Sequence, residues 1–225
     1  TWFFRDAQVL DIFEKVVLPS YHSAQDLHVA SVGCSDGREA YSLLLRNWHQ
    51  RERLRIDAFD VNPNNIETAK KGEYDISEDP YDGELMLFEA LGAGAKVAYE
   101  LISAQNGNIS WLKFDHSHKK RLRLNDQAKD VVSFHVHNIL RGPLPQQYDV
   151  VLLLNVLMHY NPKGRERILA NVFDSMREDG RLLCETADMT DLNQGRDIYR
   201  RWIEDLDRLG FERVYIQGLE SGLYI

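Results

Sequence analysis

Residues 27–39 read LHVASVGCSDGRE, and the next apolar run ends in Asp60, 23 residues after Gly37. A strand that runs into a glycine turn lets a ligand approach the bare backbone, and the helix that follows points free N–H groups at that ligand. An acidic residue about 20 positions later, at the tip of the second strand, can accept both ribose hydroxyls of a nucleoside. The ordered set of strand, glycine turn, helix, strand and acid therefore predicts a nucleoside cofactor.

The spacing of the two glycines limits which nucleoside binds. A dinucleotide needs the tight G-x-G-x-x-G turn to seat its pyrophosphate, whereas Gly33 and Gly37 form G-x-x-x-G and are followed by Glu39. A carboxylate at the start of the helix repels a pyrophosphate and suits a cationic ligand. S-adenosylmethionine carries a sulfonium, an α-amino group and no phosphate. We therefore expect this cofactor, with S-adenosylhomocysteine as its product, in preference to NAD.

Size, charge and cysteine content indicate one catalytic domain in the cytoplasm. The 225 residues are 44% hydrophobic, which is enough for one substantial core. No apolar run reaches the ~18 residues of a membrane helix, so we expect no membrane insertion. Two cysteines make no disulfide framework, and the net charge of −8 argues against general nucleic-acid binding. The chain starts at Thr1 inside a motif, so we expect a trimmed fragment.

Apolar periodicity and turn residues predict strands that alternate with helices. The predicted strands are Leu27–Val32, Arg55–Phe59, Val131–Val136, Asp149–Leu154 and Arg181–Glu185, with a final antiparallel pair at Arg213–Gln217 and Leu223–Ile225. The predicted helices are Phe4–Leu18 closed by Pro19, Glu39–Trp48, a helix from Asn62-Pro63 to Gly72, Pro162–Met176 closed by Asp179-Gly180, and Asp197–Leu209. This alternation predicts an α/β fold with a mostly parallel twisted sheet, helices on both faces and the cofactor at the carboxyl ends of the strands.

The segment 74–129 breaks this alternation and is too long for a simple crossover. We predict an inserted helix and a small antiparallel flap here, so that residues 1–73 and 130–225 form the cofactor-binding domain. A short run from Ile109 to Phe114 precedes a basic stretch from Lys119 to Arg123. That stretch is a solvated strand edge, a guide for an acidic protein partner, or a nucleic-acid contact through the aromatic residues of the run. We favour the solvated edge and expect no nucleic-acid partner.

Five segments of the chain carry motifs that belong together. Thr1-Trp2-Phe3-Phe4-Arg5 fits Thr-x-Phe-Phe-Arg, and the loop from Gly33 to Ser42 fits Gly-Cys-Ser-x-Gly-Glu-Glu-x-Tyr-Ser. The other three segments are Asp60-Val61, Phe134 with Asn138-Ile139-Leu140, and Tyr148 through Leu157. In this order they resemble the chemotaxis receptor methyltransferases of the CheR type. The resemblance implies a Rossmann-like class I methyltransferase fold and S-adenosylmethionine-dependent O-methylation of glutamate carboxylates on receptor helices. We expect a divergent member without the family's N-terminal helical domain.

The resemblance also implies a set of cofactor contacts. They are Thr1, Arg5, Glu39, Asp60, Asn138, Ile139 and Asn155, with Gly33, Ser35, Gly37, Val61 and Val156 in the same motif segments. Asp60 can accept the ribose hydroxyls, and Glu39 can face the cationic methionine end. Asn138 can bind the adenine edge, while Asn155 ends the fourth strand beside the transferred methyl. Arg5 can hold a carboxylate of the cofactor or of the substrate in a bidentate manner.

The acceptor side departs from the family pattern. Leu154 stands where the family has an arginine, Arg38 replaces the first glutamate of Gly-Glu-Glu, and His159 replaces the active-site tyrosine, with Tyr160 beside it. We take Arg5, His159 and Tyr160 as catalytic candidates. A glutamate acceptor is already anionic at neutral pH and needs no base. His159 is then either a hydrogen-bond donor in place of the tyrosine hydroxyl or a general base for a hydroxyl or amine acceptor, because histidine titrates near neutrality.

Three functions stay open at this point. The first is methylation of an acidic protein partner, such as a chemoreceptor signalling helix. The second is methylation of a small molecule in a pocket roofed by the 74–129 insertion, and the third is a non-catalytic module that binds the methyl donor or its product. We expect no metal site, because His135-x-His137 and His116-x-His118 have no third ligand at suitable spacing.

Overall fold

The strands follow the apolar segments of the sequence closely. A computed structural model describes residues 2–23, 25–77, 84–103, 119–184, 204, 206–214 and 222–224 of the chain. The strands, in chain order, are β1 Leu27–Val32, β2 Leu54–Asp60, β3 Glu73–Ser77, β4 Tyr99–Ser103, β5 Lys119–Leu124, β6 Val132–Val136, β7 Tyr148–Leu153, β8 Met176–Cys184, β9 Arg213–Val214 and β10 Gly222–Tyr224. The run from Ile109 to Phe114 and most of the helix predicted from Asp197 lie outside the described residues.

Seven strands form one large sheet in the order β6-β2-β1-β7-β8-β10-β9. Neighbouring strands from β6 to β8 run parallel, while β10 is antiparallel to both β8 and β9. The predicted α/β fold, with a mostly parallel sheet and a final antiparallel pair, is confirmed. β1 has β2 on one side and β7 on the other, so the order of the strands in the sheet reverses at β1. The carboxyl end of β1 is therefore the place where such sheets bind ligands.

Three of the described helices begin with an asparagine side chain as a cap. The described helices are α1 Ala7–Ile12, α2 Leu18–Ser20, α3 Arg38–Arg46, α4 Pro63–Lys71, α5 Glu84–Ala90, α6 Asp126–Lys129 and α7 Pro162–Asp174. Asn62 caps α4 by accepting a hydrogen bond from the Asn64 backbone N–H, and Gly72 ends the helix in the left-handed conformation, at φ 64°. Asn161 caps α7 in the same way. No helix within the described ranges has both the length and the apolar character needed to cross a membrane.

Helices and loops cover both faces of the large sheet. Alternate side chains of a strand point to opposite faces. Leu27 and Val29 accordingly join a core with residues of α1, α3 and α4, whereas Ala30 and Val32 join a second core with residues of α7. All four side chains are buried, as expected for a central parallel strand.

The inserted segment contains a three-stranded antiparallel sheet in the order β3-β5-β4, with α5 between β3 and β4 along the chain. Phe88 of α5 packs edge-on against Phe3, with ring centroids 4.9 Å apart, and against Tyr99 at 5.2 Å. The small sheet therefore shares a core with the N-terminal part of the chain. The proposed division into residues 1–73 with 130–225 and an insertion at 74–129 stays a prediction.

The basic stretch lies on β5, which is the central strand of the small sheet and not an edge. Arg123 lies 3.0 Å from Glu73, and Arg121 lies 3.6 Å from Asp75, on the neighbouring strand β3. Opposite charges on adjacent strands favour this pairing. The prediction that the basic stretch forms a strand edge was therefore wrong. The carboxylates that face its basic residues lie on another strand, and the local sequence pattern does not show them.

Several predicted helix bounds differ from the structure, and the helix predicted at Glu39–Trp48, for example, spans Arg38–Arg46. The helix expected to end at Met176 ends at Asp174, because Met176 already pairs with Tyr148 in the sheet. The Asp179-Gly180 turn signal belongs to an irregularity inside β8, between that pair and the next one. Near the N-terminus, the predicted helix begins at Ala7 and passes Pro19, because π-helical Phe13–Val17 joins α1 to α2.

Candidate functional site

A cavity of about 450 Å³ opens at the carboxyl ends of the central strands. It is lined by residues of the N-terminal segment, the glycine loop after β1, and the ends of β2, β6 and β7. Most of the predicted site residues lie on its wall: Arg5, Gly33, Ser35, Glu39, Asp60, Val61, Asn138, Ile139, Asn155, Val156, His159 and Tyr160. Thr1 lies outside the described residues, and Gly37 is not part of the wall.

Asp60 is held rigidly at the end of β2. Its Oδ2 accepts the backbone N–H of Ser35 at 2.9 Å, and its Oδ1 accepts the backbone N–H of Asn62 at 2.8 Å and the side-chain amide of Asn65 at 3.3 Å. These donors fix the orientation of the carboxylate before any ligand arrives. With these three donors bound, Oδ2 keeps a lone pair that can accept a hydroxyl donor from a sugar diol.

The glycine loop approaches its neighbours too closely for a side chain. Gly33 has φ 75°, and a Cβ built on it would lie 2.4 Å from Cγ2 of Val156. Gly37 has φ 88°, and its Cβ would lie 2.7 Å from the Cβ of Ala69 and 2.8 Å from the Phe134 ring. Gly37 therefore allows α3 to pack on its neighbours, whereas Gly33 borders the cavity itself.

Glu39 and Cys34 line the cavity on the side of the glycine loop, where Glu39 is a hydrogen-bond acceptor and Cys34 is a packing residue. Glu39, in the first turn of α3, accepts a hydrogen bond from the buried hydroxyl of Ser31 at 2.7 Å. Burial raises the pKa of the Cys34 thiol, and the carboxylates of Asp60 and Glu39 raise it further. Cys34 is therefore a protonated packing residue and not a nucleophile.

The loop after β6 forms another part of the wall. The backbone N–H of His137 donates to the Asp60 carbonyl at 2.9 Å, which joins this loop to the end of β2. Asn138 uses its Oδ1 to accept the Leu140 backbone N–H at 3.0 Å. This bond orients the side chain of Asn138, and the buried Ile139 beside it adds an apolar surface.

Strained backbone clusters at the cavity. Within the described residues, the non-glycine positions with positive φ are Phe4 (57°), Ser35 (51°) and Asn155 (58°), and all three line the wall. Residues in this region cost about 1–3 kcal/mol each and persist where the surroundings hold them. Phe4 is held by its backbone N–H, which donates to the Ser42 hydroxyl at 2.9 Å.

The open side of the cavity carries the candidate catalytic residues. The Arg5 guanidinium lies 4.7 Å from the centre of the Trp2 indole, in a cation–π contact. His159 is exposed at the end of the 3₁₀ turn Leu157–His159. The Tyr160 carbonyl accepts a hydrogen bond from the buried side chain of Arg165 at 2.9 Å.

The two other departures from the family pattern fall in different places. Leu154 is buried in the cavity wall, so the arginine of the family pattern is replaced there by apolar surface. Arg38 is outside the wall. It pairs with Asp36 at 2.8 Å and lies over the Tyr74 ring at 5.0 Å, next to the small sheet.

Several wall residues were not among the predicted set. They are Trp2, Phe4, Asp6, Leu10, Val32, Cys34, Phe59, His137 and Leu154. Most are sequence neighbours of predicted residues, so adjacency to the motifs was a usable signal. Asp6 is the important omission. Burial raises the pKa of its carboxyl, while Arg5 and a hydrogen bond from Asn155 act in the opposite direction.

The charged side chains of the cavity wall fit an adenosyl sulfonium. The wall carries the carboxylates of Asp6, Glu39 and Asp60 against one guanidinium, that of Arg5. An excess of negative charge favours a ligand that carries a sulfonium and an ammonium group and disfavours a pyrophosphate. In the part of the chain that the structure describes, no three His, Cys, Asp or Glu side chains gather to hold a metal ion, and His116 and His118 lie outside it.

Comparisons with known proteins agree with this geometry. The chain matches the family described as CheR methyltransferase, SAM binding domain, over residues 1–79 and 98–198. It is 28% identical over 192 residues to an uncharacterized 104.1 kDa protein of Rhodobacter capsulatus, covering 81% of this chain and 18% of that protein. It is 23% identical over 192 residues to a chemotaxis protein methyltransferase of Vibrio anguillarum, covering 81% of this chain and 62% of that protein. The chain thus spans less than two thirds of the length of these relatives.

A solved structure of similar fold is the magnesium protoporphyrin IX methyltransferase of Synechocystis PCC 6803 with bound S-adenosylhomocysteine. The TM-score is 0.51 at 14% identity, and the match covers 97% of this chain and 80% of that chain. At this identity the likeness shows the fold alone.

Proposed function

Because the chain belongs to the CheR methyltransferase family, we propose that it transfers a methyl group from S-adenosylmethionine to a glutamate carboxylate of an acidic protein. A chemoreceptor signalling helix is the first candidate substrate, since the Vibrio anguillarum relative is named a chemotaxis protein methyltransferase. S-adenosylmethionine is the cofactor of this family's binding domain. A cytoplasmic location, expected from the two cysteines, stays a prediction.

The observation that carries the proposal is the carboxylate of Asp60, fixed by backbone N–H groups of Ser35 and Asn62 at one end of an acidic cavity. In this proposal Asp60 binds the ribose diol, Asn138 and Ile139 border the adenine, and Glu39 faces the methionine ammonium. When bound, the cofactor supplies a methyl group on a positively charged sulfur, next to the acceptor side of the cavity.

The remaining task of the chain is to place the acceptor. A glutamate carboxylate is anionic at neutral pH, so the site needs alignment and exclusion of water but no base. Arg5 can hold the carboxylate, and its contact with Trp2 limits its freedom of movement. Tyr160 and His159 border the same space, where each can donate one hydrogen bond to the acceptor.

Methylation of a small molecule is the second candidate function. It is favoured by the apolar side chain of Leu154 in the cavity wall, where the family has a cation, and by the exposed imidazole of His159 in place of a tyrosine. In this alternative, His159 removes the proton from a hydroxyl or amine acceptor.

Methyl transfer from radiolabelled S-adenosylmethionine separates these functions. The chain is incubated with a purified chemoreceptor cytoplasmic fragment and, separately, with the small-molecule fraction of a cell extract. We expect label on the protein that alkali releases as methanol, as for a methyl ester. Alkali-stable label on a small molecule would replace the glutamate proposal by the second candidate. Tight cofactor binding without any transfer would instead identify a non-catalytic binding module.

A substitution at His159 tests its place in the site. We expect His159→Ala to leave the affinity for S-adenosylhomocysteine nearly unchanged. If His159 only donates a hydrogen bond to the acceptor, turnover should fall about 10-fold. A fall of about 100-fold or more would identify a general base. Met158→Ala is the matched control, because Met158 is the exposed neighbour and is not part of the cavity wall. Lost cofactor affinity with unchanged turnover per bound cofactor would remove His159 from the acceptor side.

A further inference from the structure

Asp6 and Asn155 meet at the cavity although 149 residues separate them in the chain. Asp6 precedes α1, and Asn155 follows β7. The Asn155 side-chain Nδ2 donates a hydrogen bond to Oδ2 of Asp6 at 3.1 Å. Both residues line the cavity wall, and the backbone of Asn155 is held in the left-handed region at φ 58°. The pair therefore joins the N-terminal segment to the central sheet inside the proposed site.

The chemistry of the pair determines which way the Asn155 amide points. An ionised carboxylate only accepts hydrogen bonds, whereas a side-chain amide has a donor end and an acceptor end. Asp6 therefore holds the NH₂ end of Asn155, and the amide oxygen Oδ1 is turned away from it. Among the described residues, the structure records no hydrogen-bond partner for this oxygen, so it is available to a donor in the cavity.

We propose that Asp6 is a positioning residue that presents the Asn155 amide oxygen to a primary ammonium group of the ligand. The assignment rests on the proposed function, in which that ammonium belongs to the methionine portion of the cofactor. Glu39 lies on the same wall and supplies a second, charged acceptor for a cationic group. Without Asp6, the amide can rotate and offer its NH₂ end, which repels an ammonium.

Two neighbours of the Asp6 carboxylate favour its charged form against the effect of burial. Burial of the side chain raises its pKa, and the charge of Arg5 and the hydrogen bond from Asn155 counteract this. The bond thus serves both partners, so removal of either one should abolish the same contribution to ligand binding. Coupling of this kind is measured by a double-mutant cycle.

Calorimetry with two ligands tests the assignment. S-adenosylhomocysteine carries the amino-acid portion, whereas 5′-methylthioadenosine keeps the adenosyl thioether and lacks it. We expect Asp6→Ala to weaken S-adenosylhomocysteine about 10-fold or more, as for one hydrogen bond to a charged group, and to change methylthioadenosine less than about 2-fold. The variant Asp6→Ala/Asn155→Ala should bind S-adenosylhomocysteine no more weakly than Asn155→Ala. Asp36→Ala is the matched control, because Asp36 pairs with Arg38 outside the cavity wall.

Other outcomes overturn the assignment. Equal losses of affinity for both ligands would show that the pair has only a structural role. Additive losses in the double variant would show that Asp6 and Asn155 act independently. An unchanged affinity for S-adenosylhomocysteine in Asp6→Ala would show that Asp6 does not contribute to ligand binding. If Asp6→Ala does not fold, Asp6→Asn keeps an oxygen that can accept from Asn155, and it should weaken S-adenosylhomocysteine selectively by about 2- to 3-fold. Failure of the proposed function is seen separately, as absence of S-adenosylhomocysteine binding by the unsubstituted chain.

Discussion

Substitution of Gly33 by alanine tests the close approach on which the cavity depends. The added Cβ would lie 2.4 Å from Cγ2 of Val156, and the backbone has φ 75°. A non-glycine residue in this conformation costs about 1–2 kcal/mol, and overpacking of a tight contact costs a further 1–3 kcal/mol, roughly. The lower entropy of the unfolded alanine chain offsets about 0.5–1 kcal/mol of this. We therefore expect Gly33→Ala to lower the free energy of unfolding by about 2–4 kcal/mol.

Denaturant unfolding measures this loss, and a second background separates its two causes. Val156→Ala removes both γ-methyl groups, including the atom nearest to the new Cβ, and leaves only the Cβ of residue 156 at 3.7 Å. The cost of Gly33→Ala should then fall to about 1 kcal/mol, which is the backbone contribution. Gly142→Ala is the control, because no heavy atom lies within 4 Å of its added Cβ. A cost for Gly33→Ala equal to that of Gly142→Ala, or equal in both Val156 backgrounds, would refute the reasoning.

Two further predictions concern the charged residues that hold the fold. The buried Asp149 accepts hydrogen bonds from the His28 backbone N–H at 2.8 Å and from an Arg177 N–H at 2.6 Å. Asp149→Asn should therefore lower the free energy of unfolding by about 2–3 kcal/mol, as measured by denaturant titration. An unchanged denaturant midpoint would contradict this prediction. A hydrogen bond from Lys15, with further help from Arg46, lowers the pKa of Asp11 below 3.8 and stabilises the fold above that pH. Asp11→Asn should therefore cost at most about 1 kcal/mol at pH 6, because the Asp11 side chain is partly exposed and its ion pairs are screened by solvent. The difference should vanish as the pH falls below 3.8 and through the lowered native pKa, and a difference that persists in acid would contradict the prediction.

Local signals predicted most of the sheet and failed where a turn signal lies inside a strand. The bounds of β1 match the prediction, because an apolar run followed by glycine has few alternatives. Asn62 and Gly72 marked both ends of α4 for the same reason, since each residue type favours its cap. Asp179-Gly180 misled the prediction of β8, because this dipeptide favours a turn equally in a loop and in a strand irregularity.

The candidate site was predictable where its residues belong to contiguous motifs. Asp60 is the last residue of β2 and Asn155 follows β7, and a parallel sheet brings these strand ends to one edge, so their meeting at one cavity follows from the fold class. Asp6 was missed, because its contact with Asn155 depends on how the N-terminal segment crosses the sheet, which no local pattern records. Gly37 was assigned to the cofactor on its motif position, whereas its structural neighbours are Ala69 and Phe134.

The central claim is that Asp60 binds the ribose of an adenosyl cofactor, and calorimetry with S-adenosylhomocysteine tests it most directly. We expect the unsubstituted chain to bind and Asp60→Asn to bind about 10-fold or more weakly, because the charged acceptor is lost and the amide that replaces it turns an NH₂ group toward hydrogen-bond donors. Asp57→Asn, in the same strand but bonded to Tyr148 and not part of the cavity wall, should bind as the unsubstituted chain does. No heat with the unsubstituted chain, or equal affinity in Asp60→Asn, would contradict the account.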